Sequence, residues 1–241
     1  FETKRFPCYY NALGISIIKE SLKASDEEYY KKLYFYKEKS NKATKNFSYS
    51  IFIKDYTIEN TEFIVNDRVT MYLSTPDLEF GLKIYNGFVK KKQYKYKEYE
   101  LKKIRVDLVK EKKITKEQVI FKTLSPICVK NKEGKFLDID DNEYLKELNY
   151  VTNMILNNYR GYGLKRELSF ESLDMKKVVV KEPLRDFKKV TNREYQYVNA
   201  FKGKFELIGD IEDLNDIYKL GIGFKRGQAF GNLDVVDEEV I

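Results

Sequence analysis

Apolar residues recur at helical spacing over residues 11–22, where Leu13, Ile15, Ile17, Ile18 and Leu22 fall among polar neighbours. Residues 47–53 alternate instead, and the Val-, Ile-, Phe- and Thr-rich run 61–74 does the same, so both read as strands, the second with room for a hairpin arm. Between the helix and these strands, Ser25-Asp26-Glu27-Glu28 reads as a turn or a helix start. Residues 29–36 are rich in Lys and Tyr, and 37–46 read as a polar loop. Pro76 and Asp77 open a helix that runs to about residue 89, because proline is tolerated in a first turn. Residues 95–109 form another long alternating run. With residues 1–8 as the end of a strand entered mid-pattern, the first half predicts strand, helix, strand, strand, helix, strand.

The second half repeats that order. Residues 118–129 read as a strand weakened by Pro126, followed by a turn at Lys132-Glu-Gly134. A strong helix is predicted over 142–159, with Tyr144, Leu145, Leu148, Val151, Ile155 and Leu156 on one side and Gly161 in the place of a C-terminal cap. Strands follow at 164–173, 176–180 and 194–208, the last with a turn near Lys202-Gly203. An acid-started helix over 210–220 stops at Gly221, and 232–236 reads as a final strand. This order predicts an α+β fold of two tandem ferredoxin-like (RRM-like, βαββαβ) domains, 1–112 and 113–241. The duplication rests on element order, since the halves share no obvious sequence.

Composition narrows the chemistry. The 241 residues suit one large or two small domains, and a 42% hydrophobic content is enough for buried cores. Forty-five Lys and Arg against 38 Asp and Glu leave a charge of +7, which favours a polyanionic partner without requiring one. Cys8 and Cys128 form no metal-binding spacing, which points to a reducing, cytoplasmic setting. No apolar run reaches the roughly 18 residues of a membrane span. Most telling, the chain contains no histidine, so triads and metal sites built on histidine are excluded.

The segment Gly221-Ile-Gly-Phe-Lys-Arg-Gly-Gln-Ala-Phe-Gly231 places four glycines around the adjacent cations Lys225 and Arg226. Glycines of this kind let successive N–H groups close around an anion, and the cations suit phosphate. It is not a dinucleotide fingerprint, because Arg226 stands where the third glycine belongs and a strand rather than a helix follows. Nor is it a Walker loop, which needs Gly-Lys-Ser/Thr. A plain surface turn is the alternative reading.

With this loop between the last helix and last strand, the element order resembles that of the CRISPR repeat-processing endoribonucleases. These are the RAMP-type enzymes that cut precursor CRISPR RNA. Gly221, Gly223, Lys225, Arg226, Gln228, Phe230 and Gly231 match that family's terminal glycine-rich loop, while Ala229 replaces its usual penultimate glycine. Pro7-Cys8-Tyr9-Tyr10-Asn11-Ala12 resembles the segment that opens its first helix, with Ala12 where the family typically carries its catalytic histidine.

The resemblance implies binding of CRISPR repeat RNA and its cleavage without metal or cofactor. The 2′-OH would attack the adjacent phosphate, leaving a 2′,3′-cyclic phosphate and a 5′-OH. It implies RNA contacts from Gly221, Gly223, Lys225, Arg226, Gln228 and Gly231. Homodimerisation and association with other CRISPR interference proteins stay open, and no membrane partner is implied.

Ala12, Ser16 and Lys19 share one helix face, so Lys19 is a candidate to meet the phosphate charge. Tyr10 or Tyr9 is a candidate to orient or donate. Ala12 itself is a substitution that traps uncut RNA, a natural loss in a binding-only homologue, or a misassigned position with the catalyst elsewhere; the intact flanking residues favour the first. Arg160, Lys165 and Arg166, around Gly161 and Gly163, form a second candidate RNA segment, whose plain reading is a helix-ending turn. Lys95 and Lys97, interleaved with Tyr94 and Tyr96, read more readily as a guarded edge strand than as a stacking surface. Arg5 is a weaker candidate.

The leading expectation is therefore a repeat endoribonuclease impaired at Ala12. A non-catalytic repeat-binding subunit of an interference complex is the runner-up, and a basic domain with a protein or lipid partner the fallback. Under the leading expectation, Ala12→His raises single-turnover cleavage of a cognate repeat in EDTA by about 10²–10⁴-fold, the usual contribution of a general acid–base group. No gain discards the assignment of position 12.

Overall fold

The computed structural model describes residues 1–37, 39–41, 43–183 and 195–236. In the first half, β1 (Arg5–Pro7), α1 (Asn11–Ser25) and α2 (Glu27–Tyr34) are followed by a minimal hairpin, β2 (Phe35–Tyr36) and β3 (Lys39–Ser40). Next come β4 (Ser48–Ile53), β5 (Tyr56–Glu59), β6 (Glu62–Val65), β7 (Val69–Ser74), α3 (Leu78–Lys90), β8 (Gln93–Tyr96) and β9 (Tyr99–Lys102). Helix starts follow local chemistry. Asp26 accepts from the Tyr29 N–H at 2.9 Å and Asp77 from the Phe80 N–H at 3.0 Å, each satisfying an orphan donor.

β4 pairs antiparallel with β7, β1 with β6, and Glu2 bridges Lys102 beyond β9. Phe1 and Val69 exchange a backbone bond at 3.0 Å, so the N-terminal segment lies between the β6–β7 run and β9. That is the strand order of a ferredoxin-like sheet, with α1 and α3 packed together over it. Gly87 makes their contact close, since a Cβ there would sit 2.0 Å from the Ser21 carbonyl oxygen.

The second half contains β10 (Gln118–Thr123), α4 (Tyr144–Arg160), β11 (Ser169–Ser172), β12 (Lys176–Pro183), β13 (Tyr195–Lys202) and β14 (Lys204–Ile208). α5 (Ile211–Leu220), a 3-10 turn (Arg226–Gln228) and β15 (Leu233–Val235) complete it. Its sheet runs β11-β14-β10-β15, the same ferredoxin-like order, and β12 with β13 extends from it as a long two-stranded arm. Gly161 ends α4 with φ 86°, and Asp210 caps α5 through the Glu212 N–H at 2.9 Å.

The two βαββαβ units agree with the order read from sequence, with local departures. Residues 27–34 form a helix, since Asp26 supplies a cap and Tyr30 a buried face. The run 61–74 is broken at 66–68 into two strands, and 95–109 keeps only its first half, to Lys102, as part of a hairpin that turns at Lys97 with φ 54°. Tyr94 is buried and its hydroxyl lies 2.8 Å from that of Ser21, so it belongs to the core and offers no stacking surface. The expected strand start at Glu194 lies outside the described residues.

The units meet across a buried polar seam. Asn232, just before β15, donates from Nδ2 to Ser48 Oγ at 2.9 Å, and its Oδ1 accepts from Ser50 Oγ at 3.3 Å. Its backbone N–H donates to Ser125 Oγ at 2.9 Å, whose hydroxyl reaches the Tyr49 carbonyl at 3.3 Å. All four polar side chains are buried. Asn232→Ala leaves two serine hydroxyls without partners and costs about 1–3 kcal/mol. Thermal unfolding should show it as a Tm lower by roughly 3–10 °C.

Candidate nucleic-acid interface

The seam presses the glycine-rich loop against the opening helix. Gly221, Gly223 and Gly231 take φ of 77°, 79° and 64°, where a side chain is strained. The loop also folds tightly on itself and its neighbours. A Cβ at Gly231 would lie 1.9 Å from the Ile222 carbonyl oxygen, and one at Gly223 2.8 Å from that of Cys128. These glycines therefore satisfy the protein's own packing. Ala229 adopts φ 60°, the left-handed conformation glycine takes most readily, and its methyl is buried in the core.

Asn11, the first residue of α1, donates from Nδ2 to the Gln228 carbonyl at 2.8 Å and to Glu182 Oε1 on β12 at 3.0 Å. Glu182 Oε2 in turn accepts from Lys225 Nζ at 2.6 Å, and Lys225 also reaches Gln228 Oε1 at 3.1 Å. Three distant stretches of chain thus converge on one carboxylate: the start of α1, the arm and the loop.

Beside this junction lies a groove of about 550 Å³. Its lining includes Lys19, Tyr34 and Lys45 from the first unit and the loop from Gly223 to Gln228 from the second. Lys19 Nζ lies 4.8 Å from the centre of the Tyr34 ring and Lys45 Nζ 5.6 Å from it. Lys45 is held by the carbonyls of Ala43 at 2.8 Å and Asn41 at 3.2 Å. Burial lowers the pKa of Lys19, helped by Lys23, and burial lowers that of Lys45, helped by Lys19. Burial raises that of Tyr34 well above an ordinary phenol, so it stays protonated at neutral pH. Two ammonium groups of lowered pKa thus lie within cation–π distance of one phenol ring in this groove.

The residues singled out from sequence divide accordingly. Lys19, Gly223, Lys225 and Gln228 come together in the groove lining, whereas Gly221 and Gly231 are buried in the packing of the loop and are not among the lining residues. Ala12 is half-buried at the start of α1 and is not among the residues lining the groove. Tyr10 packs against Phe6 between two core clusters, which turns it away from the groove.

Arg226 is not the surface cation its sequence position suggests. It is 4% exposed and donates to the carbonyls of Leu220 at 2.5 Å and Lys45 at 3.3 Å. Arg160 is likewise engaged within the protein, by Asp213 and by Asp216 at 2.7 Å. Lys165 pairs with Glu212 and with Asp210 at 3.4 Å, and Arg166 with Glu117 at 2.9 Å. Carboxylates of α5 and its cap thus neutralise much of the second cationic segment. Arg5 is taken up by Glu62. Tyr34 and Lys45 are the residues sequence reasoning missed, because they sit in stretches without a motif. Their proximity to each other and to Lys19 is a product of the fold.

The sequence matches the family described as CRISPR associated protein Cas6, C-terminal, over residues 109–235, more than half of the chain. The protein belongs to the Cas6 family. No curated protein matches it. Among solved structures, this Cas6-family chain is similar to the product of a Cas6-related gene from Pyrococcus furiosus, at 22% identity and TM-score 0.78, with 98% of each chain covered. It is also similar to a structure described as an RAMP protein binding different RNA substrates. That match has 21% identity and TM-score 0.78, covering 98% of this chain and 95% of the other. A Thermus thermophilus Cas6 product complex aligns at 10% identity and TM-score 0.63, covering 98% and 100%. At these identities the likeness establishes the shared fold of tandem ferredoxin-like units.

Within the Cas6 loop the two adjacent cations are expected to behave oppositely. Arg226→Ala frees two carbonyls and costs about 3 kcal/mol, a Tm lower by roughly 6–12 °C. Lys225→Ala leaves the mostly buried Glu182 carboxylate with its bond from Asn11 and costs less, about 1–2 kcal/mol, yet weakens RNA binding and flattens the log–log salt dependence by about 0.7, the value of one single-strand phosphate contact. Parallel melting and salt-titrated binding of the two variants check this.

Proposed function

We propose that this Cas6-family protein binds CRISPR repeat RNA across the groove and cleaves it without metal. The glycine-rich loop and Lys225 hold the strand, and Lys19, Tyr34 and Lys45 carry the proton transfers. One observation carries the reading: two lysines with depressed pKa values and one protonated tyrosine line the same groove as the loop.

In this reading, one lysine of the pair, in its neutral form, removes the proton from the 2′-OH. The freed oxygen attacks phosphorus as the bond to the 5′-oxygen breaks. The other lysine stays charged and stabilises the phosphorane, and the Tyr34 hydroxyl donates its proton to the departing oxygen. The products are a 2′,3′-cyclic phosphate and a 5′-OH. In this reading position 12 is not one of the proton-transfer groups, so cleavage does not depend on the gain that the sequence resemblance leads one to expect from Ala12→His. The functional division follows the two units, 1–112 bringing these three side chains and 113–241 the loop.

A second reading, a repeat-binding subunit without activity, is favoured by one feature: Ala12 stands where related enzymes typically carry histidine, and the chain has none elsewhere. Single-turnover cleavage of a repeat transcript in EDTA separates the two. The leading reading expects Lys19→Ala and Lys45→Ala each to slow bound-substrate cleavage by about 10²–10⁴-fold, beyond the affinity lost with one phosphate contact, and Tyr34→Phe to slow it measurably.

The neutral lysine is the reactive form, so the rate should rise with pH above neutrality. It should pass through a maximum below the ordinary lysine pKa of about 10.5, because both values are depressed, and fall again as the second lysine loses its charge. Tight binding with no cleavage at any pH favours the second reading. Cleavage unaffected by the three substitutions rejects the lysine assignment.

A further inference from the structure

The groove that holds the lysines is also lined by apolar residues. α4 presents Tyr150 and Met154 there, one helical turn apart on the same stripe, above the buried Val151 and Ile155. Tyr150 is 54% exposed and Met154 49% exposed. The outer face of a surface helix is ordinarily polar, and α4 obeys this at Lys146, Asn153 and Asn157. A large ring and a thioether left to water in the same groove as Lys19 and Lys45 therefore call for an occupant. Charge selects its class. A simple anion would use the cations alone and an apolar ligand the wall alone. A nucleotide uses both, and the groove volume of about 550 Å³ is that of a small-ligand site.

We propose that this wall is a nucleobase site: one unpaired base of the bound RNA stacks on the Tyr150 ring and over Met154, while its phosphate meets Lys19, Lys45 and the glycine-rich loop. This rests on the RNA-binding reading of the same groove. A base inside a duplex has its faces covered by its neighbours, so the site accepts only a nucleotide that is single-stranded or splayed from a stem. Stacking on a tyrosine tolerates all four bases. Tyr150 thus fixes where along the repeat an unpaired nucleotide must fall, and leaves base identity to other contacts.

The test is an abasic scan. The binding probe is the repeat RNA with 2′-deoxyribose throughout the groove-bound segment, which cannot be cut, carrying a single abasic residue at each position in turn. At one position the wild-type protein should lose about 5- to 100-fold in affinity, the span of one base–aromatic stack. Tyr150→Ala should lose a similar factor on intact RNA and nothing further on that abasic RNA, whereas Tyr150→Phe should bind within about twofold of wild type.

Losses that multiply at every position, or an unchanged affinity of Tyr150→Ala for intact RNA, overturn the stacking site while leaving repeat binding intact. Failure of the wild-type protein to bind any repeat RNA overturns both this inference and the reading beneath it. Tyr150 is exposed, so an unchanged melting temperature of its variants confirms that any loss is local.

Discussion

Arg226 carries a full positive charge into the seam between the two units, with no carboxylate beside it among the described residues. Taking an ion out of water costs several kcal/mol. Here the guanidinium is compensated by dipoles. The Leu220 carbonyl is the last of α5, where aligned peptide groups concentrate partial negative charge. The Lys45 carbonyl belongs to the opposite unit. One side chain thus ties the end of a second-unit helix to the backbone that carries a groove lysine. That tie helps to set the geometry of the groove.

The other crossings reinforce it with neutral bonds. Asn232 gathers three serines from both units, and the Tyr49 hydroxyl donates to the Asn11 carbonyl at 2.8 Å. The first turn of α1 is therefore held from β4 on one side and from the loop on the other. Satisfied buried polar networks specify one arrangement because partial satisfaction is costly. Lys19, one helical face along from that pinned turn, inherits its position from them.

The sequence was legible where local chemistry decides the outcome. Asp77 and Asp210 announced helix starts, Gly161 a helix end, and the order of elements the double βαββαβ fold. The glycine-rich loop was visible as a ligand-approaching segment, although its glycines also answer to contacts with Ile222 and Cys128 that no spacing rule reveals. What sequence could not supply was direction. Lys225 and Arg226 are neighbours of the same charge, yet one reaches Glu182 and the other turns into the seam. Arg160 reads as a free cation until Asp213 and Asp216, some 50 residues later in the chain, fold onto it. Tyr34 and Lys45 lacked any motif, since their chemistry comes from burial and from each other.

The route of the chain adds a temporal order. Lys19, Tyr34 and Lys45 all lie in the first 47 residues, whereas the loop that shares their groove spans 221–231. During synthesis these side chains leave the ribosome long before the segment that completes their surroundings, so the groove takes its full shape only when a late-made stretch docks onto an early one.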